Sequence, residues 1–250
     1  MNSLKYITIL LSLSICSCSN NTQNENSTDN PASSSDLDLN DGLVGWYPFN
    51  GNASDASGNG NDCTVMGASL TKDRYGVENN AYKFDGDDWI ESKNIVPTYN
   101  VVSFVAWFKA TDVRGNKSGA IVSLPRAPGG TGTRLGFHYP NKSIGGGFNP
   151  PNIVIDHRHT TEPLKLEQWY HGAVTNSGRE LRLYLNGNLC ASKKYDERSL
   201  SSSQNLLIGK ELHEKAGISG MRFFNGSIDD VRIYNRTLSD SEILAIYNPK

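Results

Sequence analysis

The side chains best suited to bind a ligand lie in and around a glycine- and proline-rich stretch from Pro125 to Pro151. Arginine, histidine and aromatic residues are concentrated there and in two later segments, and we treat six of them as one candidate ligand-binding set: Arg134, His138, Tyr139, Arg158, Arg222 and Phe223. Aromatic rings and planar guanidinium groups suit the face of a sugar or an acidic glycan. Because long loops of distinctive composition often carry function, we expect that a ligand-binding groove, if there is one, lies in this region. A cluster of solvated loop residues is the alternative explanation for the same composition.

The N-terminal cysteines predict a lipid anchor. Lys5 precedes the apolar run YITILLSLSI, which has the length of a secretory signal and is followed by Cys16-Ser17-Cys18. This arrangement resembles a bacterial lipobox, in which a small residue precedes the acylated cysteine, and it favours Cys18. An ordinary secretory signal is the alternative. We therefore expect a lipoprotein signal peptide over residues 1–17 and lipid anchoring at the outer membrane or cell surface.

The segment that follows, residues 18–40, is rich in serine and asparagine and almost free of large apolar side chains. Such a composition cannot bury enough surface to offset chain entropy, so it predicts a disordered tether. The membrane is thus expected to be contacted only through the N-terminal lipid.

Cys63 and Cys190 remain after the lipobox is set aside. An oxidising compartment permits a Cys63–Cys190 disulfide, but two buried thiols packed as small apolar groups explain the pair equally simply, and we favour the thiols. No spacing of cysteine and histidine residues suggests zinc.

The elements that must position these residues are short strands. Apolar runs alternate with turns rich in glycine, asparagine, aspartate and proline, as in a sandwich or jelly roll. In LRLYLNGNL, Asn186-Gly187 predicts a type I′ hairpin turn. In Val101–Lys109 both faces are largely apolar, as in a strand buried between layers. One short helix is predicted near the C-terminus, where Ser239 and Glu242 form a capping box.

Five segments of this strand pattern, among them its two ends, carry a family resemblance. GLVGWYPFNGN (residues 42–52), AYKFDGDDWI (81–90), FVAWFKA (104–110), the LRLYLNGNL hairpin and FNGSIDDVRIYNRTLSDSEI (224–243) occur in the order and spacing of LamG-like, concanavalin A-like domains of bacterial surface proteins. The resemblance implies an all-β fold, a two-sheet antiparallel jelly-roll sandwich with one C-terminal helix, over residues 41–250. It leaves function open, because lectins, adhesion modules and glycan-active enzymes share this architecture.

The resemblance also implies a structural calcium ion, since many superfamily members carry one at the sandwich edge. Calcium takes six to eight oxygen ligands. The candidate ligands are acidic and amide side chains near the two ends of the domain: Asp229, Asp230, Asn50, Asp55, Asn59 and Asn61. Turn formation by the same aspartate and asparagine residues is the alternative.

Two enzymatic alternatives follow from the same family. Laminarinase-type hydrolases carry Glu-x-Asp-x-x-Glu on one strand, and the nearest residues here, Asp85, Asp87, Asp88 and Glu91, belong to a hairpin that non-enzymes share. Polysaccharide lyases use histidine, tyrosine and arginine, for which His157-Arg158-His159 is a loose analogue. We therefore expect a non-catalytic module that binds a glycan or a surface protein, with hydrolase, lyase or structural adhesion module as alternatives.

Composition narrows the partners. The chain has 24 Lys+Arg against 26 Asp+Glu, a balance that argues against a nucleic-acid partner.

Several residues in the predicted strands are expected to be structural. We expect Trp46, Trp107 and Trp169 in the core rather than on a glycan-stacking surface, and His171 as a hydrogen-bonded core histidine. Arg232 and Asp230 are expected to form an ion pair that holds the sheet.

Overall fold

The computed structural model describes residues 37–93, 95, 101–111, 118–125, 132–148, 153–156, 162–196, 205–215 and 218–249. The predicted signal, the predicted acylation site at Cys18 and most of the predicted tether lie outside these residues, as do Arg158 and its neighbouring histidines. Among the described residues, no helix has the length and apolar content needed to cross a membrane.

Seventeen strands and one helix form the described structure. They are β1 Leu43–Tyr47, β2 Thr64–Met66, β3 Ser69–Thr71, β4 Ala81–Asp85, β5 Trp89–Ser92, β6 Val102–Ala110, β7 Gly119–Ser123, β8 Arg134–His138, β9 Ser143–Phe148, β10 Ile153–Asp156, β11 Trp169–Asn176, β12 Glu180–Leu185, β13 Asn188–Lys194, β14 Leu206–Ile208, β15 Lys210–Lys215, β16 Ile218–Phe223, β17 Asn225–Tyr234 and α1 Asp240–Tyr247.

The strands form two antiparallel sheets packed as a sandwich. The first sheet has the order β13-β12-β11-β6-β17-β4-β3, with β1 also paired to β17, and the second has the order β10-β9-β8-β7-β14-β5-β2. Strands β15 and β16 form a separate hairpin. This architecture confirms the all-β jelly-roll prediction.

The main core lies between the sheets. On β6, Phe104 and Phe108 face this core, whereas Val105 belongs to a second cluster on the outer face of the first sheet. Helix α1 covers that second cluster with Ile243 and Ile246. The two apolar faces of β6 therefore have different partners, the other sheet and the helix.

Local sequence signals set two of these features. The Ser239 hydroxyl accepts a hydrogen bond from the Glu242 amide at 3.2 Å, and the Glu242 carboxylate accepts one from the Ser239 amide at 2.8 Å, which confirms the capping box. Asn186 and Gly187 both have positive φ, 48° and 77°, as a type I′ turn requires. Ordered contacts on the N-terminal side reach Leu39, whose carbonyl accepts a bond from the Tyr234 hydroxyl at 3.0 Å.

The three tryptophans expected in the core are not there. Trp46, Trp107 and Trp169 are partly exposed and belong to neither core cluster. Strand alternation places Trp107 and Trp169 on the outer face of the first sheet, opposite the face that carries Phe104 and Phe108. Apolar character alone did not reveal which face of β6 was inside.

His171 is buried, as expected, but it is not hydrogen-bonded through its ring. Its side chain is fully buried against Trp107 and Tyr247, and among the described residues neither ring nitrogen has a hydrogen-bond partner. Burial lowers the pKa of His171 to about 3, so the neutral ring is the stable form.

Cys63 and Cys190 are free thiols. Cys190 lies on β13, an edge strand of the first sheet, and Cys63 directly precedes β2, at an edge of the second. Strand β13 contacts β10, which is at the edge of the second sheet opposite β2. The two cysteines are therefore at opposite sides of the sandwich, which explains why they do not pair.

Candidate functional site

A groove lies on the second sheet, across strands β7 to β10, with the β15–β16 hairpin along one side. Its cavity volume is about 120 Å³. We call it the arginine groove. Glycines at positions 119, 136, 145 and 146 line it, and the side chains that line it include Arg134, His138, Val154, Asp156, Glu211 and Arg222.

Strand alternation explains why Arg134 and His138 point into the groove. On β8, Leu135 and Phe137 are buried in the main core. The residues that alternate with them, Arg134, Gly136 and His138, are less buried and face outward. The glycine at the centre of this outward row leaves the strand backbone uncovered. The groove is thus a gap in the side-chain layer over the sheet.

Neighbouring glycines widen that gap. Gly136 lies opposite Gly145 on β9, so no side chain covers the sheet from either strand at this point. A Cβ atom at Gly136 would lie 3.1 Å from the Gly119 carbonyl oxygen, and one at Gly119 would lie 2.4 Å from the Phe223 carbonyl oxygen. Gly119 therefore allows the end of β16 to lie directly over β7.

A buried carboxylate holds the two groove arginines. Glu211 is 2% exposed, and Nη1 of Arg134 donates to its Oε2 at 3.0 Å while Nη1 of Arg222 donates to its Oε1 at 3.3 Å. The Arg134 guanidinium also lies over Gly147, where an added Cβ would be 2.9 Å from Nε. Both arginine positions are consequently fixed before any ligand arrives.

The candidate ligand-binding set is thus divided. Arg134, His138 and Arg222 line the arginine groove. Tyr139 does not, because its buried hydroxyl accepts a bond from the Asn225 amide at 2.6 Å and donates to the Asn225 carbonyl at 3.0 Å. Burial raises the pKa of Tyr139, in keeping with a structural role.

Phe223 also lies outside the groove. Its ring centroid is 6.3 Å from that of Trp89, and Nζ of Lys210 lies over both rings. Because Arg222 and Phe223 are adjacent on β16, their side chains leave the hairpin on opposite faces, and only Arg222 faces the groove. Arg158 lies outside the described residues.

Glu211 and Asp156 are polar groove residues that sequence reasoning missed. Glu211 lies in KELHEK, a charged segment with no apolar alternation. Asp156 ends β10 and pairs with Gly145 on β9, whose three consecutive glycines suggest a loop, so the sequence gives no sign that Asp156 lies near β8. The alternation of β8 was the one usable signal, since it places Arg134 and His138 on the same face.

The proposed calcium ligands at the C-terminal end bind protein cations instead. Asp229 forms an ion pair with Arg74, and Asp230 accepts bonds from the Trp46 indole at 2.7 Å and from Nε of Arg232 at 3.3 Å. Burial raises the pKa of Asp229, and the Arg74 guanidinium opposes that rise. Two guanidinium groups and an indole N–H already contact these carboxylates, and cationic donors at this distance do not fit a calcium ion on Asp229 and Asp230. The expected Asp230–Arg232 ion pair is present.

The proposed ligands near the N-terminal end form a loop network. The Asp55 carboxylate accepts hydrogen bonds from the amides of Trp46 and Asn61, both at 3.0 Å. The side-chain amides of Asn59 and Asn61 donate to carbonyls of β1, at 2.9 Å to Leu43 and 2.7 Å to Val44. The hydrogen bonds that the Asp55 carboxylate accepts from Trp46, Ser57 and Asn61 lower its pKa against the effect of burial. The donors fit a hydrogen-bonded turn rather than a cation, and the remaining candidate, Asn50, has an exposed side chain.

The carboxylates considered for hydrolysis lie in the turn between β4 and β5. Asp85, Asp87 and Asp88 have ligand oxygens within 4.8 Å of one another, and Asp88 accepts a bond from the Asp85 amide at 3.0 Å. Mutual hydrogen bonding lowers the pKa of Asp85, while its proximity raises that of Asp87. None of the three lines the arginine groove.

Comparison with known proteins gives the class of protein to which this fold belongs. Residues 84–244 match the family model described as the concanavalin A-like lectin/glucanases superfamily, and the chain belongs to that superfamily. A comparison with curated protein sequences found no match.

Solved structures share the fold at low identity. Domain 4 of AbnA, an extracellular arabinanase from Geobacillus stearothermophilus solved with arabinotriose, is 19% identical with a TM-score of 0.62, over 82% of this chain and 98% of that one. The ligand-binding domain of botulinum neurotoxin serotype D, solved with N-acetylneuraminic acid, is 19% identical with a TM-score of 0.63, over 84% of this chain and 52% of that one.

A third structure, the binding domain of botulinum neurotoxin DC with rat synaptotagmin II, is 16% identical with a TM-score of 0.62, over 84% of this chain and 52% of that one. This chain therefore spans about half of the toxin binding domains. The fold is thus shared with domains solved in complex with sugars and with a protein.

Proposed function

We propose that this chain is a non-catalytic carbohydrate-binding protein and that its glycan binds in the arginine groove. The observation that carries the proposal is the pair of guanidinium groups, from Arg134 and Arg222, held by the buried Glu211 beside a floor of glycine backbone. Fixed planar donors beside exposed backbone offer a sugar several directional hydrogen bonds without a large ordering cost.

The charges of the groove favour an uncharged glycan. Arg134 and Arg222 contribute two positive charges, and Glu211 and Asp156 contribute two negative ones. Sugar hydroxyls donate and accept, so they can use both kinds of group. The exposed side of Val154, at 42%, adds an apolar contact for the carbon face of a ring. We expect binding to depend little on salt.

The buried groove carboxylate, Glu211, argues against hydrolysis. Retaining and inverting glycosidases need one carboxyl group that can act as a general acid. Both oxygens of Glu211 accept hydrogen bonds from arginine, so this group positions the guanidinium groups rather than donating a proton. The sugar complexes of domains with this fold support the binding of a glycan.

Titration calorimetry tests the location, with arabinohexaose, xylohexaose, cellohexaose and laminarihexaose as probes. Arg134→Gln and Arg222→Gln each remove a charged donor, so we expect each to weaken binding about 10- to 100-fold. Arg179→Gln, at an exposed hairpin position outside the groove, is the matched control and should bind like the native chain.

Two results would overturn the proposal. One is native affinity in both Arg134→Gln and Arg222→Gln. The other is release of reducing sugar from a probe by the native chain, which would establish an enzyme.

We further propose that Cys18 carries the lipid that holds the domain at the outer membrane or cell surface. The support is the apolar signal followed by Ser17-Cys18. Cys18→Ala should abolish palmitate labelling and move the protein from the membrane pellet to the soluble fraction. Cys16→Ala is the matched control and should remain labelled, and labelling that follows Cys16 instead would refute the assignment.

A further inference from the structure

A second cavity lies on the opposite side of the sandwich, on the outer face of the first sheet. Its volume is about 390 Å³, within the range of about 300–1,000 Å³ typical of small-ligand pockets. We call it the tryptophan cleft. It is lined by Arg74, Tyr75, Trp107, Trp169 and Tyr247, together with residues 248 and 249.

Four aromatic rings are presented in this cleft. Trp107 stacks on Tyr247 with ring centroids 5.6 Å apart and an interplanar angle of 24°. Trp169 lies two residues before His171 on β11, and His171 is directly opposite Trp107 on β6, so both tryptophans are on one face. Tyr75 is 69% exposed. Trp107, Trp169 and Tyr247 are partly exposed, so part of each ring remains open to solvent after folding.

Trp107 and Tyr247 pack on one side against the buried His171, but core packing does not account for Tyr75 and Trp169, which belong to neither core cluster. Helix α1 covers Val105, Ala173 and Tyr184 on the same sheet face, but it ends at Tyr247, and the cleft begins there. Clustered exposed aromatic surface beside polar groups is typical of a binding site.

The cleft is also rigid. The Arg74 guanidinium lies 4.6 Å from the Tyr75 ring centroid and 4.9 Å from that of Trp107. Its two terminal nitrogens contact Asp229 and Asp230, which are almost completely buried. The arginine is thereby locked between two rings, so a ligand would meet a preorganised surface.

The cations in the cleft exclude one class of ligand. Aromatic cages recognise quaternary ammonium groups through the faces of their rings. Here Arg74 already lies over Tyr75 and Trp107, and Nζ of Lys109 lies 5.4 Å from the Trp169 ring centroid. A cationic ligand would be repelled by these two charges. An uncharged sugar ring could place its apolar face on the exposed aromatic surface and accept hydrogen bonds from the cationic groups through its hydroxyls.

We propose that the tryptophan cleft is a second sugar-binding site, which stacks an uncharged pyranose or furanose ring of a glycan on Tyr75 and Trp169. It lies on the other sheet from the arginine groove and shares no lining residue with it. A chain with both sites would hold two glycan strands, or two segments of one strand, and would gain avidity on a polymer.

Titration calorimetry with the same four hexasaccharides tests the cleft by stoichiometry. We expect the native chain to bind two molecules of at least one probe. The double variant Tyr75→Ala/Trp169→Ala should bind one, with at least a tenfold loss at the missing site, while Tyr75→Phe/Trp169→Phe keeps the rings and should bind two. Circular dichroism and thermal unfolding check that each variant is folded.

The outcomes separate the two sites. Loss of the second binding event only in the alanine double variant supports the cleft, whatever happens in Arg134→Gln. Native stoichiometry in a folded alanine double variant overturns it, as does failure of the native chain to bind any of the four probes. A single native binding event that Arg134→Gln removes, and the alanine double variant does not, also overturns it.

Discussion

Nη1 of Arg134 lies 3.0 Å from Oε2 and 3.3 Å from Oε1 of Glu211, a carboxylate that is almost completely buried. The pair joins β8 of the second sheet to the β15–β16 hairpin, and Arg222 extends it as a second donor. One buried acid thus fixes both the position of the hairpin and the cationic side of the groove.

Glu211→Gln tests this relationship through stability. The variant keeps the shape but removes the charge that compensates two arginines, so we expect the free energy of unfolding to fall by about 1–3 kcal/mol. Urea denaturation followed by circular dichroism measures it. Glu162→Gln, at an exposed position, is the control and should leave the midpoint unchanged. Equal midpoints for Glu211→Gln and the native chain would contradict the role given to Glu211.

The buried His171 predicts sensitivity to acid. Its pKa is about 3 in the folded chain and about 6.5 in a model peptide, chiefly because of burial, with Arg74 and Arg232 adding to the effect and Asp230 opposing it. The unfolded chain therefore binds the extra proton first, and the stability that the neutral ring contributes above pH 6.5 is lost as the pH falls toward 3.

His171→Phe removes this titration and keeps a ring of similar size against Trp107 and Tyr247. Between pH 7 and pH 5 we expect the native chain to lose about 2 kcal/mol more unfolding free energy than the variant. Urea denaturation at both pH values measures the difference. Parallel losses in the two proteins would show that His171 does not set the acid sensitivity.

We expect the thermal stability to be independent of calcium, because the residues predicted to bind the ion already contact other groups of the protein. Asp229 and Asp230 are neutralised by Arg74 and Arg232, and Asp55 accepts backbone N–H groups. We expect Tm to be the same in calcium and in EGTA. A calcium-dependent rise in Tm that Asp229→Asn abolishes would instead restore the calcium site.

Cys63 and Cys190 should remain reduced in the folded chain. Burial raises the pKa of Cys63 to about 12 and that of Cys190 to about 11, so both are thiols that react slowly at neutral pH. Alkylation with iodoacetamide in urea, without reductant, should modify both cysteine-containing peptides. A peptide pair released only by a reductant would reveal a disulfide.

Local sequence determined the features whose causes are local. The capping box at Ser239 and Glu242 defines the start of α1, and Asn186-Gly187 defines a hairpin turn, because each depends on backbone preferences and bonds within a few residues. The pattern of short strands and turns also indicated a sandwich, and the resemblance of five motifs to LamG-like domains indicated its superfamily. The alternation of Leu135 and Phe137 on β8 is local in the same way, and it is enough to place Arg134 and His138 on one face of that strand.

The tertiary structure decided everything that depends on partners far apart in the chain. Both faces of β6 are apolar, and only the packing of the second sheet and of α1 shows that Trp107 faces outward. Glu211 acquires its role because Arg134, 77 residues away, lies on a neighbouring element. Asp229 resembles a calcium ligand in sequence, but folding places Arg74 against it, and that nearby fixed charge decides the chemistry of the carboxylate.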